Sequence, residues 1–152
     1  MSSIQLMFST TNKPFSALIR AATWSRWSHV ALVSGSHVIE ASALGGVRQV
    51  SKDHAISQTA EFCLVDLPAR APDSIIDMAR SQLGKPYDWS GILGLGLHRN
   101  WQEDDAWFCS ELVAWAAAES GEMWFRPDAM RRITPQHLWM LPPLQEQFVA
   151  AI

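Results

Sequence analysis

A cysteine attacks a carbonyl carbon productively only when its proton has somewhere to go and the oxyanion that forms has donors to rest on. The sequence holds two cysteines, Cys63 and Cys109, in unlike settings. Cys63 lies in the strand-like run 61–67, where a small buried hydrophobe is expected. Cys109 stands where a polar stretch gives way to helical spacing over 109–120, closed by Gly121. A thiol in the first turn of a helix feels the positive end of the helix dipole, which favours the thiolate. The exposed N–H groups there can also hold an oxyanion. Glu111, in the same turn, suits the dipole and is expected to point outward or to cap. A buried cysteine packed under Trp107 and Phe108 is an equal reading of this segment taken alone.

A base for that thiol is offered by the run Ser28 to Val33. Residues 28–33 and 37–41 read as two strands joined by a tight turn around Gly35. A two-residue turn pairs Ser34 with His37, Ala31 with Glu40 and His29 with Ser42. Glu40 then shares a face with His29 as its diagonal neighbour, about 7–8 Å away at Cα. Its carboxylate could accept a hydrogen bond from one imidazole nitrogen and fix the tautomer, leaving the other nitrogen to act as a base. A three-residue loop would shift the register by one and undo the pairing. Taken alone, the hairpin favours a core histidine satisfied by a backbone carbonyl.

The elements that must position these residues are legible in outline. Ile4 to Phe8 reads as a strand. Pro14 opens a helix over 15–23 with Phe15, Leu18, Ile19 and Ala22 on one face. Gly45-Gly46 breaks the chain before a strand at 47–50, and 61–67 is another. Asp73 or Ser74 caps a helix through Gln82 that stops at Gly84 and Pro86. A Gly/Leu-rich loop at 91–96 and a polar run at 98–105 precede Cys109. Thr134-Pro135 opens a last short helix, and Pro142-Pro143 ends it. The order of helix, strands and helices gives an α+β class, in one domain over 1–152.

Composition narrows the function classes. The 152 residues are 48% hydrophobic and 18% charged, a globular balance rather than a disordered one. A net charge of −3 with no Lys/Arg cluster excludes nucleic acid as the expected partner. No segment reaches the roughly 18 uninterrupted apolar residues of a membrane-spanning helix. The first residues lack the basic start and apolar stretch of a secretory signal, so a cytoplasmic location is expected. Two cysteines are too few for a disulfide scaffold or a thiolate zinc site. A metal held by His29, Glu40 and Cys109 lacks any close-spaced ligand pair. Gly91, Gly94 and Gly96 do not form a dinucleotide fingerprint, because the spacing is reversed and no strand precedes them.

Taken in order, the segments Trp27–Val33, Val38–Ala41 with Gly46-Val47, Gly84–Trp89, Phe108–Val113 and Thr134-Pro135 with Leu138 resemble one family. It is the circularly permuted NlpC/P60 (papain-like) group, the YaeF/YiiX-like amidases related to lecithin retinol acyltransferase. Ordinary members of the wider superfamily place Cys before His, whereas the permuted group places His first, as here. The resemblance runs from about residue 4 to residue 142 and implies a bacterial or phage origin. It implies an antiparallel sheet or half-barrel packed on the Cys-bearing helix. It also implies a cysteine hydrolase or acyltransferase acting on an amide (peptide or isopeptide) or ester bond through a thioacyl-enzyme. Cys109 would be the nucleophile, His29 the base and Glu40 the orienting group, where related acyltransferases often carry a second His. Tyr87 would help bind the oxyanion. Ser110, Trp27 and Trp107 flank the motifs as further oxyanion- or substrate-binding candidates. Such chemistry needs no metal or organic cofactor. The substrate would be a peptide or a lipid acyl group, with Trp24, Trp89, Trp101 and the loop 92–97 as candidate groove residues. A non-catalytic module that kept the fold to bind a peptide or lipid is the rival reading.

Overall fold

Alternating apolar residues over Ser3–Thr10 make β1, which pairs on both sides and becomes the interior of a six-stranded sheet. The computed structural model describes residues 2–43, 45–87 and 108–150, with 131–132 and 145–150 by backbone alone. Strands β2 (His29–Ser34), β3 (His37–Ser42), β4 (Gly46–Ser51), β5 (Glu61–Pro68) and β6 (Gln145–Ala150) complete the sheet. The order is β4-β3-β2-β1-β5-β6, and every neighbouring pair is antiparallel. The result is an open sheet of α+β class.

One face of the sheet carries the main core. Leu6, Phe8, Val30, Leu32, Ile39 and Val65 meet Ile75 and Ala79 of α3 (Pro72–Arg80) and Leu112 and Val113 of α4 (Cys109–Glu119). Most of α4 is buried on several sides, because alanines at 114, 116 and 117 let neighbouring elements approach closely. The opposite face holds a smaller cluster of Met7, Ala31, Val33 and Val38 with Ala55 of α2 (Lys52–Ser57). Cys63 is fully buried opposite Phe8, as its strand setting implies.

The hairpin register is the expected one. Ser34 pairs with His37, Val33 with Val38 and Leu32 with Ile39, around a turn whose Gly35 has φ +59°. β2 and β3 pair only as far as Leu32 and Ile39, although both strands continue on their other sides to His29 and Ser42. The two strands therefore diverge towards His29 and Glu40, and α4 packs against both.

Several elements differ from the sequence reading. In α1 (Pro14–Thr23), Ile19 faces inward but Leu18 is 56% exposed. Ser16 and Arg20 turn inward instead, to bond β1 and the residue before β2. Helix α3 starts at Pro72, so Asp73 sits inside its first turn rather than capping it. Helix α2, a 3-10 turn over Pro127–Arg132 and strand β6 were not foreseen. Ser51 caps α2 by accepting the His54 N–H at 3.1 Å. The short α5 (Pro135–Trp139) follows Thr134 as expected.

Gly46 marks where β4 meets the approach to Tyr87. Its φ is +66°, and a Cβ there would lie 2.4 Å from the Lys85 carbonyl oxygen. That carbonyl accepts the Val47 N–H at 2.8 Å. Gly46→Ala should therefore cost about 2 kcal/mol or more, from strain and displaced backbone together. Gly35→Ala, with nothing within 4 Å of its Cβ, carries only the left-handed strain of about 1 kcal/mol. Urea denaturation of the two variants checks the contrast, and equal losses would contradict it.

Candidate active site

The site is assembled where β2 and β3 diverge. His29, the first residue of β2, directs Nε2 at Glu40 Oε1 of β3, 3.1 Å away. Glu40 is buried, and its other oxygen accepts two hydrogen bonds from Arg48, Nε at 3.0 Å and Nη2 at 2.9 Å. Arg48 is the direct cross-strand partner of Glu40 on β4, which places the fork on the carboxylate. The Cys109 side chain lies beside the His29 imidazole, close enough to act on its charge. With Nε2 on the carboxylate, Nδ1 is the ring nitrogen left for the thiol.

The electrostatics follow from this chain of contacts. Burial would lower the His29 pKa, but the adjoining Cys109 side chain, the hydrogen bond to Glu40 and the negative charge each can carry raise it to about 10. Burial would raise that of Glu40, but the bonds and charges of His29 and Arg48 bring it to about 2. The imidazole is thus held in its charged form and the carboxylate in its ionised form over the neutral range.

Cys109 is the first residue of α4 and is 1% exposed. The residue before it, Phe108, offers no side-chain acceptor to the first-turn N–H groups. Glu111 takes the capping option, accepting the Phe108 N–H at 3.2 Å. The thiol therefore sits against the N–H end of a helix with an imidazole beside it.

The other candidates separate. Tyr87 is buried with its ring 6.0 Å from that of Phe108, next to the cysteine in sequence. Ser110 is fully buried and donates its hydroxyl to the Ile133 carbonyl at 2.6 Å, so that side chain braces α4 against the segment leading into α5. Trp27 is fully buried and does not line an opening. It packs between Phe8 and Trp139, with ring centroids 6.3 and 5.4 Å away, and forms core behind the hairpin. Trp89, Trp101, Trp107, the loop 91–97, His98 and the acidic run 103–105 lie outside the described residues. His137 accepts the Thr134 N–H at Nδ1, 2.9 Å away, and serves the start of α5. Arg48 is the site residue that the sequence reading missed. Its signal was the tight Gly45-Gly46 turn, which carries β4 back alongside β3.

Comparison with known proteins supports the same fold class. Residues 5–137 match the family described as "Permuted papain-like amidase enzyme, YaeF/YiiX, C92 family". The chain belongs to that family. A crystal structure titled metalloprotein yiiX, from Escherichia coli O157:H7, superposes with a TM-score of 0.72 at 20% identity. The match covers 99% of this chain and 97% of that one, and the two share a fold. No curated relative matches the sequence. Family membership supports a cysteine hydrolase-like role of the amidase kind.

The paired charges tie stability to pH. Glu40, with its pKa lowered from 4.5 to about 2, contributes stability present above pH 4.5 and lost as pH falls towards 2. His29, raised from 6.5 to about 10, contributes stability present below pH 6.5 and lost as pH rises towards 10. Glu40→Gln should destabilise by about 2 kcal/mol where both contributions are present. Thermal unfolding across pH should show the gap from wild type widest between 4.5 and 6.5, closing as pH falls towards 2 and narrowing as pH rises towards 10, where the Arg48 bonds to Glu40 remain. A gap independent of pH would contradict the charge assignment.

Proposed function

We propose that the protein is a cysteine amidase or acyl hydrolase in which Cys109 is the nucleophile, His29 the base and Glu40 the group that orients the imidazole. The observation that carries this reading is the single imidazole bonded to a buried carboxylate and placed beside a thiol at a helix start.

The chemistry runs in two steps. With the shared proton of the Cys109–His29 pair already on the imidazole, Sγ attacks the carbonyl carbon of an amide or ester. The carbonyl electron pair moves to oxygen, which the α4 N–H groups stabilise, with the Tyr87 hydroxyl as a second donor. Ser110 contributes through its backbone N–H, because its hydroxyl is engaged by Ile133. Collapse breaks the bond to the leaving amine or alcohol, which takes the proton from His29, and a thioester remains on Cys109. Water then attacks the thioester with His29 accepting its proton. The carboxylic acid leaves and the thiol is restored. An acceptor other than water at this step would make the same site an acyltransferase. Peptide, isopeptide and lipid-acyl carbonyls all satisfy this scheme.

The solved neighbour is titled a metalloprotein. The His29, Glu40 and Cys109 set does not fit a metal. One Glu40 oxygen is engaged by His29 and the other by Arg48, whose positive charge would stand beside the cation. Among the described residues, no three His, Cys, Asp or Glu side chains converge as a ligand set.

An activated ester such as p-nitrophenyl acetate tests the proposal without knowledge of the natural substrate. Wild type and Cys63→Ala should each release a burst of p-nitrophenol and carry an acetyl group on Cys109, located by peptide mass spectrometry. Cys109→Ala should lose the burst, and His29→Ala should slow it by about two orders of magnitude or more. An undiminished burst in Cys109→Ala would overturn the assignment and favour a binding module that kept the fold.

A further inference from the structure

Helix α1 buries Ile19 and packs Phe15 against the core, yet it also turns polar side chains inward. Its polar side chains Ser16 and Arg20 face the protein. Ser16 Oγ donates to Ser28 Oγ at 2.6 Å, and Arg20 Nη1 donates to the Thr11 carbonyl and to Ser16 Oγ, each at 3.0 Å, and also to Thr10 Oγ1. The solvent side is left to Pro14, Ala17, Leu18 and Ala21, all exposed and spaced as one helical stripe. Trp24 extends that stripe past the helix end. It is 89% exposed and holds φ +54°, a left-handed conformation that glycine normally supplies at this position. A bulky residue kept there carries backbone strain while burying almost none of its ring. Leu18 and Trp24, with the small apolar residues between them, leave an exposed apolar stripe that the fold does not cover.

Charge says what kind of surface it meets. Residues 1–39 hold Lys13, Arg20 and Arg26 and no acidic residue, although the whole chain has a net charge of −3. Lys13 and Arg26 flank the stripe at its two ends, and Arg26 also reaches Glu61 at 3.6 Å. An exposed Trp and Leu with basic neighbours and no carboxylate on the helix match the interface of an anionic bilayer. There the indole sits at headgroup level and the cations meet phosphates.

We propose that the outer face of α1, with Leu18 and Trp24 as its inserted side chains, seats this protein on an anionic membrane surface. The inference does not depend on the catalytic reading.

Co-sedimentation with vesicles at low salt tests the proposal. Wild type should bind phosphatidylcholine–phosphatidylglycerol vesicles and bind pure phosphatidylcholine vesicles much more weakly. Trp24→Gly and Leu18→Ser should each weaken that binding by at least about tenfold, as expected when one large apolar side chain no longer leaves water. Both variants should keep the wild-type circular dichroism, and Trp24→Gly should unfold at no lower temperature, since glycine suits its backbone. Absence of wild-type binding, equal binding to the two vesicle types, or variants that bind like wild type would overturn the proposal. So would a concentration-dependent dimer, without vesicle binding, that the same substitutions dissolve. In that case a second copy of the chain is the occupant.

Discussion

A carboxylate almost out of water stays ionised only when cations or donors take the place of its hydration. Glu40 meets that condition by facing two partners at once, the imidazole of His29 on one oxygen and the guanidinium fork of Arg48 on the other. Each strand of the β2-β3-β4 meander contributes one member of the row. The row links neighbouring strands where β2 and β3 no longer pair through their backbones. Remove the carboxylate and a partly buried imidazole and a guanidinium are left without their anion. The charge on Glu40 is therefore both a structural tie and the source of the imidazole's orientation.

That divergence of strands is what the helix needs. An α-helix start brought to a sheet must place N–H groups and a thiol near an imidazole without burying unsatisfied backbone. Here α4 packs its alanine-rich body against the sheet, while Ser110 fixes the segment behind it by bonding the Ile133 carbonyl. Glu111 covers the Phe108 N–H and adds a negative group at the positive end of the helix. The thiol is thus located by a helix and the imidazole by a strand, two rigid elements rather than loops, which suits chemistry that tolerates little misplacement. The permuted order, His before Cys along the chain, leaves this meeting unaffected because it depends on packing and not on connectivity.

Much of this was readable from residue types. The two-residue turn at Gly35-Ser36 fixes strand parity, and parity alone puts Glu40 on the side of His29. Gly121, at φ +87°, closes α4 where the pattern says it should. Arg48 was not read because its role depends on a second register, across the Gly45-Gly46 turn, on top of the first. Helix α2 is under two turns long and takes its definition from the Ser51 cap and its contact with the sheet rather than from periodicity. Strand β6 follows two prolines and exists through pairing with β5, a long-range partner that local pattern does not reveal. Leu18 and Trp27 were misplaced for opposite reasons. A buried Ser-Thr-Arg network outweighs apolar periodicity in α1, and an aromatic cluster draws Trp27 into the core.

The central claim is that one imidazole is held charged between Glu40 and Cys109. Nitrogen-detected NMR of the His29 ring against pH tests it most directly. The account predicts that His29 stays protonated through neutral pH, titrating towards about 10, with the Nε2 proton shifted by its bond to Glu40. An ordinary midpoint near 6.5 with freely exchanging tautomers would contradict it.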